Sequence, residues 1–257
     1  MSNVSSEKQG DFPARGPAVP WGPVAAVVVT VLSFIGAQFL AGFVLALFFG
    51  VSGAGEVLLT STVGQFLFVL LSDAVIFFAV WTFLRGRGAG LRQLGFGRRP
   101  VWRDIGYALL GYAAYYVLLA VVFIAASEYT QINLDQKQEL GFDFLVSPGD
   151  KLMALISLVV LPPIVEEVVF RGFVFTGMRK KLKFFWATLI TSLLFAGPHL
   201  LASGEGLLWV AGIDTLVLSF ILCYLREKTG ALWAPMTVHA LKNAVAFIIL
   251  LSSIAVI

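Results

Sequence analysis

A single cysteine, Cys223, stands among the 257 residues, so the chain can carry no disulfide framework and no metal site built from several thiolates. Cys223 falls inside an apolar stretch and reads as a packing residue. Charge is scarce as well: Asp, Glu, Lys and Arg together make 13% of the chain, against roughly 25% in soluble globular domains. Histidine is rarer still, with two copies. These shortages exclude a water-soluble globule. The 59% of apolar residues and the mean hydropathy of +0.91 call for lipid as solvent. Alternating polarity over about 10 residues, the mark of a membrane barrel strand, is missing. The apolar residues instead come in blocks of the roughly 20 residues that a spanning helix needs, separated by short charged loops.

The pattern predicts an all-α, polytopic transmembrane helix bundle of about seven to eight spans enclosing an intramembrane polar cavity. Seven spans are legible, near 22–49, 57–84, 105–127, 150–175, 185–203, 206–225 and 230–254. Residues 1–20 are polar and rich in Pro, Gly and Ser, and read as a disordered tail; 21–257 read as a single transmembrane domain. The apolar run after the tail exceeds the 7–15 residues of a signal-peptide core, so it is expected to stay as the first span. Basic residues gather between Arg85 and Arg103, between Arg179 and Lys183, and at Arg226 and Lys228. These are every second loop. The positive-inside rule therefore predicts a multi-pass membrane protein with a cytoplasmic N-terminus, in the plasma membrane if the source is bacterial. The loop 128–150, with Glu128, Asp135, Glu139, Asp143 and Asp150 against Lys137, is expected on the other side. The net charge of +3 is thus explained by topology, and no nucleic-acid partner is expected. Within Ser147-Pro148-Gly149-Asp150, a capping serine, a proline at the first helical position and an acid three residues after the cap predict a helix start.

Charged and titratable residues nevertheless lie inside the spans: Asp73, Glu166, Glu167, Arg171, His199, Asp214, His239 and Lys242. Each acid or base at the centre of a spanning helix costs about 2.5–3.5 kcal/mol even on a lenient insertion scale, so the group must be paired, hydrated or functional. Glu167 and Arg171 are four apart with the acid N-terminal, which favours an ion pair on one helix face. Glu166, turned by about 100° around the helix, lacks that partner, and a dry setting that favours taking up a proton suits a general base. His239 and Asn243 are also four apart, and an imidazole beside a carboxamide can donate to a developing oxyanion. Proline lies just upstream of each candidate, at Pro162 and Pro163, Pro198 and Pro235; three spans are therefore expected to bend around one polar cavity. Counting residues from the basic loops places this site between the bilayer middle and the cytoplasmic face. Asp73 and Asp214 are expected to pair with donors on neighbouring helices, Lys242 being a candidate partner for either.

Glu166-Glu167-Val168-Val169-Phe170-Arg171 fits EExxxR, Phe195-Ala196-Gly197-Pro198-His199 fits FxxxH, and His239-Ala240-Leu241-Lys242-Asn243 fits HxxxN. In this order the three motifs resemble the CAAX-processing and bacteriocin-processing (CPBP, or Abi) family of intramembrane proteases, which includes the type II CAAX prenyl endopeptidase. The resemblance covers residues near 150–250. It implies an intramembrane endopeptidase acting on a membrane-associated protein or peptide, with Glu166 and His199 activating water and His239 and Asn243 holding the oxyanion. It leaves open whether a metal takes part. Glu166, His199 and His239 are the three residues that would ligate Zn²⁺, although no HExxH, the usual zinc-helix signature, is present. Two rivals share the same residues: an ion-coupled transporter using them as a proton relay, and a non-enzymatic immunity protein. Missing inverted repeats weigh against the commonest transporter designs.

Overall fold

The computed structural model describes residues 18–130, 132–133, 136, 142, 145–201 and 206–254. Most of the tail expected at 1–20, and Asp135, Lys137, Glu139 and Asp143 of the acidic loop, lie outside the described residues. Among the described residues there is no strand. Seven principal helices carry the fold: α1 Pro23–Thr60, α2 Thr62–Arg85, α3 Trp102–Tyr129, α4 Pro148–Arg179, α5 Phe184–Leu200, α6 Trp209–Thr229 and α7 Trp233–Ile254. All but α5 are long and apolar enough to cross a membrane. At 17 residues, α5 spans about 25 Å, just short of a 30 Å hydrocarbon core. The molecule is an integral, multi-pass membrane protein.

The first loop is shorter than expected. Helix α1 continues to Thr60 and is interrupted only at Gly50, whose φ of 74° is open to glycine at no steric cost. Ser61 then takes an extended conformation and caps α2 by accepting from the Gly64 amide. Helix α4 begins as anticipated: the Asp150 amide donates to Ser147 Oγ at 3.1 Å, and the Ser147 amide donates to the Asp150 carboxylate at 2.8 Å. Gly230, left-handed with φ 66°, ends α6.

The expected bends appear as widened turns in α4, over Ile156–Val160 and again over Glu167–Phe175. They flank Pro162 and Pro163, which supply no backbone donor. Pro198 instead lies in the last turn of α5 and Pro235 in the first turn of α7, so these two mark helix ends rather than bends.

Helix α1 packs along α2, α5 along α6, and α3 lies across α6 and α7. Trp21, Leu84, Phe170, Phe173, Phe195 and Leu232 share one core cluster, while Ala108, Tyr115, Leu218, Leu222 and Val238 form a second. Phe39, Phe48, Leu110 and Val117 point outward, as lipid-facing side chains should. The end carrying the basic loops is tied together by ion pairs. Arg179, buried at the end of α4, donates to both carboxylate oxygens of Glu227 on α6, at 2.7 and 3.0 Å. Arg98 forms a similar two-pronged pair with Asp104 on α3 at 2.6 and 2.7 Å.

Candidate active site

Glu166 and Glu167 stand at the boundary between a regular turn and the second widened stretch of α4. Consecutive residues on a helix diverge by about 100°, so the two carboxylates face different surroundings. Glu167 points into the fully buried interior, where Arg171 Nη1 donates to its Oε1 at 2.9 Å. Glu166 keeps about 20% of its side chain accessible and borders a cavity. The pairing of Glu167 with Arg171 is the one its spacing of four leads one to expect, and Glu166 lacks that partner.

Glu167 has a second partner. His239 Nδ1 lies 2.8 Å from the same Oε1, and since a carboxylate accepts, the imidazole donates there. Its other nitrogen, Nε2, is turned toward the cavity and stands 3.7 Å from Glu166 Oε2. A carboxylate behind one ring nitrogen fixes the imidazole's orientation and tautomer, with the proton on Nδ1 and Nε2 facing the site. Arg171 stacks 4.4 Å above the Phe195 ring, and the edge-on His239 ring lies 5.7 Å from the same phenylalanine. The phenylalanine of FxxxH thus packs the ion-paired arginine against the imidazole and shields both from lipid. Glu167 Oε2 and Arg171 Nε and Nη2 have no further partner, which leaves the pair strongly dependent on each other.

His199 reaches the cavity from the last turn of α5, its Nδ1 lying 3.1 Å from the Phe195 carbonyl oxygen. Donation from Nδ1 to that carbonyl leaves Nε2 as the nitrogen able to take a proton. Asn243 Nδ2 donates to the Leu158 carbonyl at 2.9 Å, in the first widened stretch of α4. One of its two N–H groups is spent on holding the amide in place and the other remains. Glu166, His199, His239 and Asn243 line one cavity of about 240 Å³, with Lys242 at its edge.

Lys242 pairs with Asp214 on α6 at 2.9 Å, and Tyr115 on α3 donates to the other oxygen of Asp214. This completes the expected pairing for Asp214 and adds a tyrosine that sequence spacing could not connect. Asp73 on α2 differs from expectation. Its Oδ2 is buried and has no hydrogen-bond partner. It is an acidic neighbour of the site that the motifs do not mark; its placement inside an apolar span is the one sequence signal it carried.

Zinc in a catalytic site takes three protein ligands at about 2.0–2.2 Å; Glu166, His199 and His239 would be the ones to offer them, His239 through Nε2, because its Nδ1 is engaged by Glu167. Among the described residues no group of three or more His, Cys, Asp and Glu side chains is arranged to hold a metal.

A family profile described as type II CAAX prenyl endopeptidase Rce1-like matches residues 148–245, the stretch that runs from α4 into α7. A Bacillus subtilis (strain 168) protein with the name "Putative membrane peptidase YdiL" is 29% identical over 154 residues. The matched region is 59% of this chain and 60% of that relative's length, so the chain spans about three fifths of the relative. No solved structure matches. With its three motifs gathered around one cavity and the profile match covering the helices that bear them, the chain is similar over this region to the Rce1-like membrane peptidases of the CPBP family.

Proposed function

We propose that the protein is an intramembrane endopeptidase that hydrolyses a peptide bond in a membrane-associated protein or peptide, with Glu166 and His199 activating the attacking water. The observation that carries this reading is the convergence of Glu166, His199, His239 and Asn243 on one cavity, backed by a buried Glu167–Arg171 pair. A general base, a second proton acceptor and two donors are the groups that amide hydrolysis needs.

In the proposed reaction the free N–H of Asn243 and a proton on His239 Nε2 face the carbonyl oxygen of the scissile bond. Glu167 offsets the positive charge that this second proton gives the imidazole. Glu166 takes a proton from water as the oxygen attacks the carbonyl carbon, and His199 orients that water. The tetrahedral oxyanion forms against Asn243 and His239. On collapse, the proton held by Glu166 passes to the departing nitrogen, so the products are a carboxylic acid and an amine. No step passes through a metal.

The test uses purified protein in liposomes with a panel of membrane-anchored peptides that carry a fluorophore and a quencher. Cleavage is expected, with loss of turnover in both Glu166→Ala and His199→Ala and no change in their unfolding midpoints. Full activity in both variants would overturn the assignment. Elemental analysis of active wild-type protein is expected to find zinc far below one atom per chain; stoichiometric zinc lost in His239→Ala would replace the metal-free version with a zinc-dependent one.

A further inference from the structure

On the other side of the α4–α7 seam lies a larger space that the proposed reaction does not use. It is a cleft of about 940 Å³ between α3, α4 and α7, walled by Ile105, Val160, Ile164, Met236, Ala240 and Ala244. It shares no lining residue with the catalytic cavity. Neighbouring side chains divide between the two spaces: on α4, Val159 and Pro163 face the cleft while Leu158 and Pro162 face the cavity, and the bond from Asn243 to Leu158 closes the seam between them.

At the basic end of the bundle the cleft runs into a second hollow of about 550 Å³ through Pro100, Ile164 and Trp233, and there Arg98 and Arg99 form the wall. The charge at this mouth is uneven. Arg98 is committed to Asp104, the one acid lining the cleft, and also donates to the Thr229 carbonyl at 3.3 Å. Trp233 Nε1 donates to the Arg98 carbonyl at 3.0 Å, fixing the rim. Arg99, in the wall of the second hollow, and Arg103, between the cleft-lining Trp102 and Asp104 in sequence, remain exposed. Three guanidinium groups against one carboxylate leave a surplus of two positive charges over an apolar slot. Trp102, 86% exposed, stands at the same level, where tryptophan marks the interface between headgroups and hydrocarbon.

We propose that this cleft is a binding site for an anionic phospholipid, its acyl chains lying along α4 and α7 and its phosphate headgroup held by Arg99 and Arg103. Basic pockets between spanning helices recognise anionic headgroups in this manner. A zwitterionic lipid fills the apolar slot equally well but gains less from the surplus charge. The site is distinct from the catalytic cavity, so the proposal stands whether or not the chain is a peptidase.

Native mass spectrometry of the full chain in detergent, titrated separately with phosphatidylglycerol and phosphatidylcholine of the same acyl composition, tests it. Phosphatidylglycerol is expected to bind severalfold more tightly, and R99Q/R103Q is expected to bring the two lipids close to parity. Ala240→Trp, which fills the slot, is expected to weaken both. K180Q/K181Q, which removes exposed charge at the same end but away from the cleft, is expected to keep the preference. Equal binding of the two lipids by wild type overturns the proposal. So does an equal loss in K180Q/K181Q, which would show a diffuse surface potential. Displacement of bound phosphatidylglycerol by a cleavable peptide would also overturn it, assigning the cleft to substrate.

Discussion

At the scale of single residues, the two adjacent glutamates carry opposite burdens. Glu166 borders the cavity and is held by no strong hydrogen bond, whereas Glu167 is enclosed and shared by Arg171 and His239. Glu166→Gln is expected to lower the cleavage rate by about 10²–10⁴-fold, the usual worth of a positioned acid–base group, with no change in the unfolding midpoint. Glu167→Gln and Arg171→Met are expected to behave differently. Each leaves a buried charge without its partner, at a cost of about 3–5 kcal/mol, and should lower the unfolding midpoint in detergent. The double variant should recover much of that stability but no activity, because His239 would still lack its carboxylate. Equal midpoints for all three would refute the buried-pair account. Both pairings that stayed within one helix were legible in sequence, Glu167–Arg171 from its spacing of four and Ser147–Asp150 from its capping pattern. Arg179–Glu227, separated by 48 residues, was not, because spacing along one helix says nothing about which helices meet.

Among the elements, α4 is the one whose irregularity matters. Its two widened stretches flank Pro162 and Pro163 and present Leu158 O to Asn243 on one side and Glu166 to the cavity on the other. The prolines announced that a bend would occur; they did not announce that it would take the form of two wide turns. Gly172, inside the second, packs so closely against the short segment Arg92–Phe96 that an added Cβ would meet the Leu94 carbonyl oxygen at 2.9 Å. A backbone atom cannot swing aside as a side chain can. Gly172→Ala is therefore expected to be destabilising by about 1–3 kcal/mol and to reduce activity by displacing α4, whereas Gly106→Ala, with open space around it, should change neither. Asn243→Ala removes both the tie to Leu158 and one oxyanion donor. Its turnover should fall by about 10²–10³-fold, with a smaller fall in unfolding midpoint, a split that kinetics and calorimetry on one preparation can resolve.

For the whole molecule, the composition identified a membrane bundle because a chain with so little charge has few other ways to satisfy its backbone, and the spans followed within a few residues except at the far end of α1, which runs on to Thr60. The site's far wall was less accessible. Lys242 was known to need an acid, yet only the packing of α3, α6 and α7 selects Asp214 and adds Tyr115. Lys242→Met is expected to lower the unfolding midpoint by stranding Asp214, and the double variant with Asp214→Leu should regain it; failure of the second change to compensate would count against the pairing. The contrast between the two ion pairs bears on how the protein is made. Glu167 and Arg171 are one turn apart on the same helix, so this pair can enter the bilayer already neutralised, before any later segment has been synthesised. Lys242 and Asp214 sit on α7 and α6, and neither can shed its charge until the other arrives. Membrane integration should therefore proceed in two stages, with chains truncated after α5 inserting stably and chains truncated between α6 and α7 stalling or being degraded, an order that glycosylation-site mapping of truncated translation products can read directly.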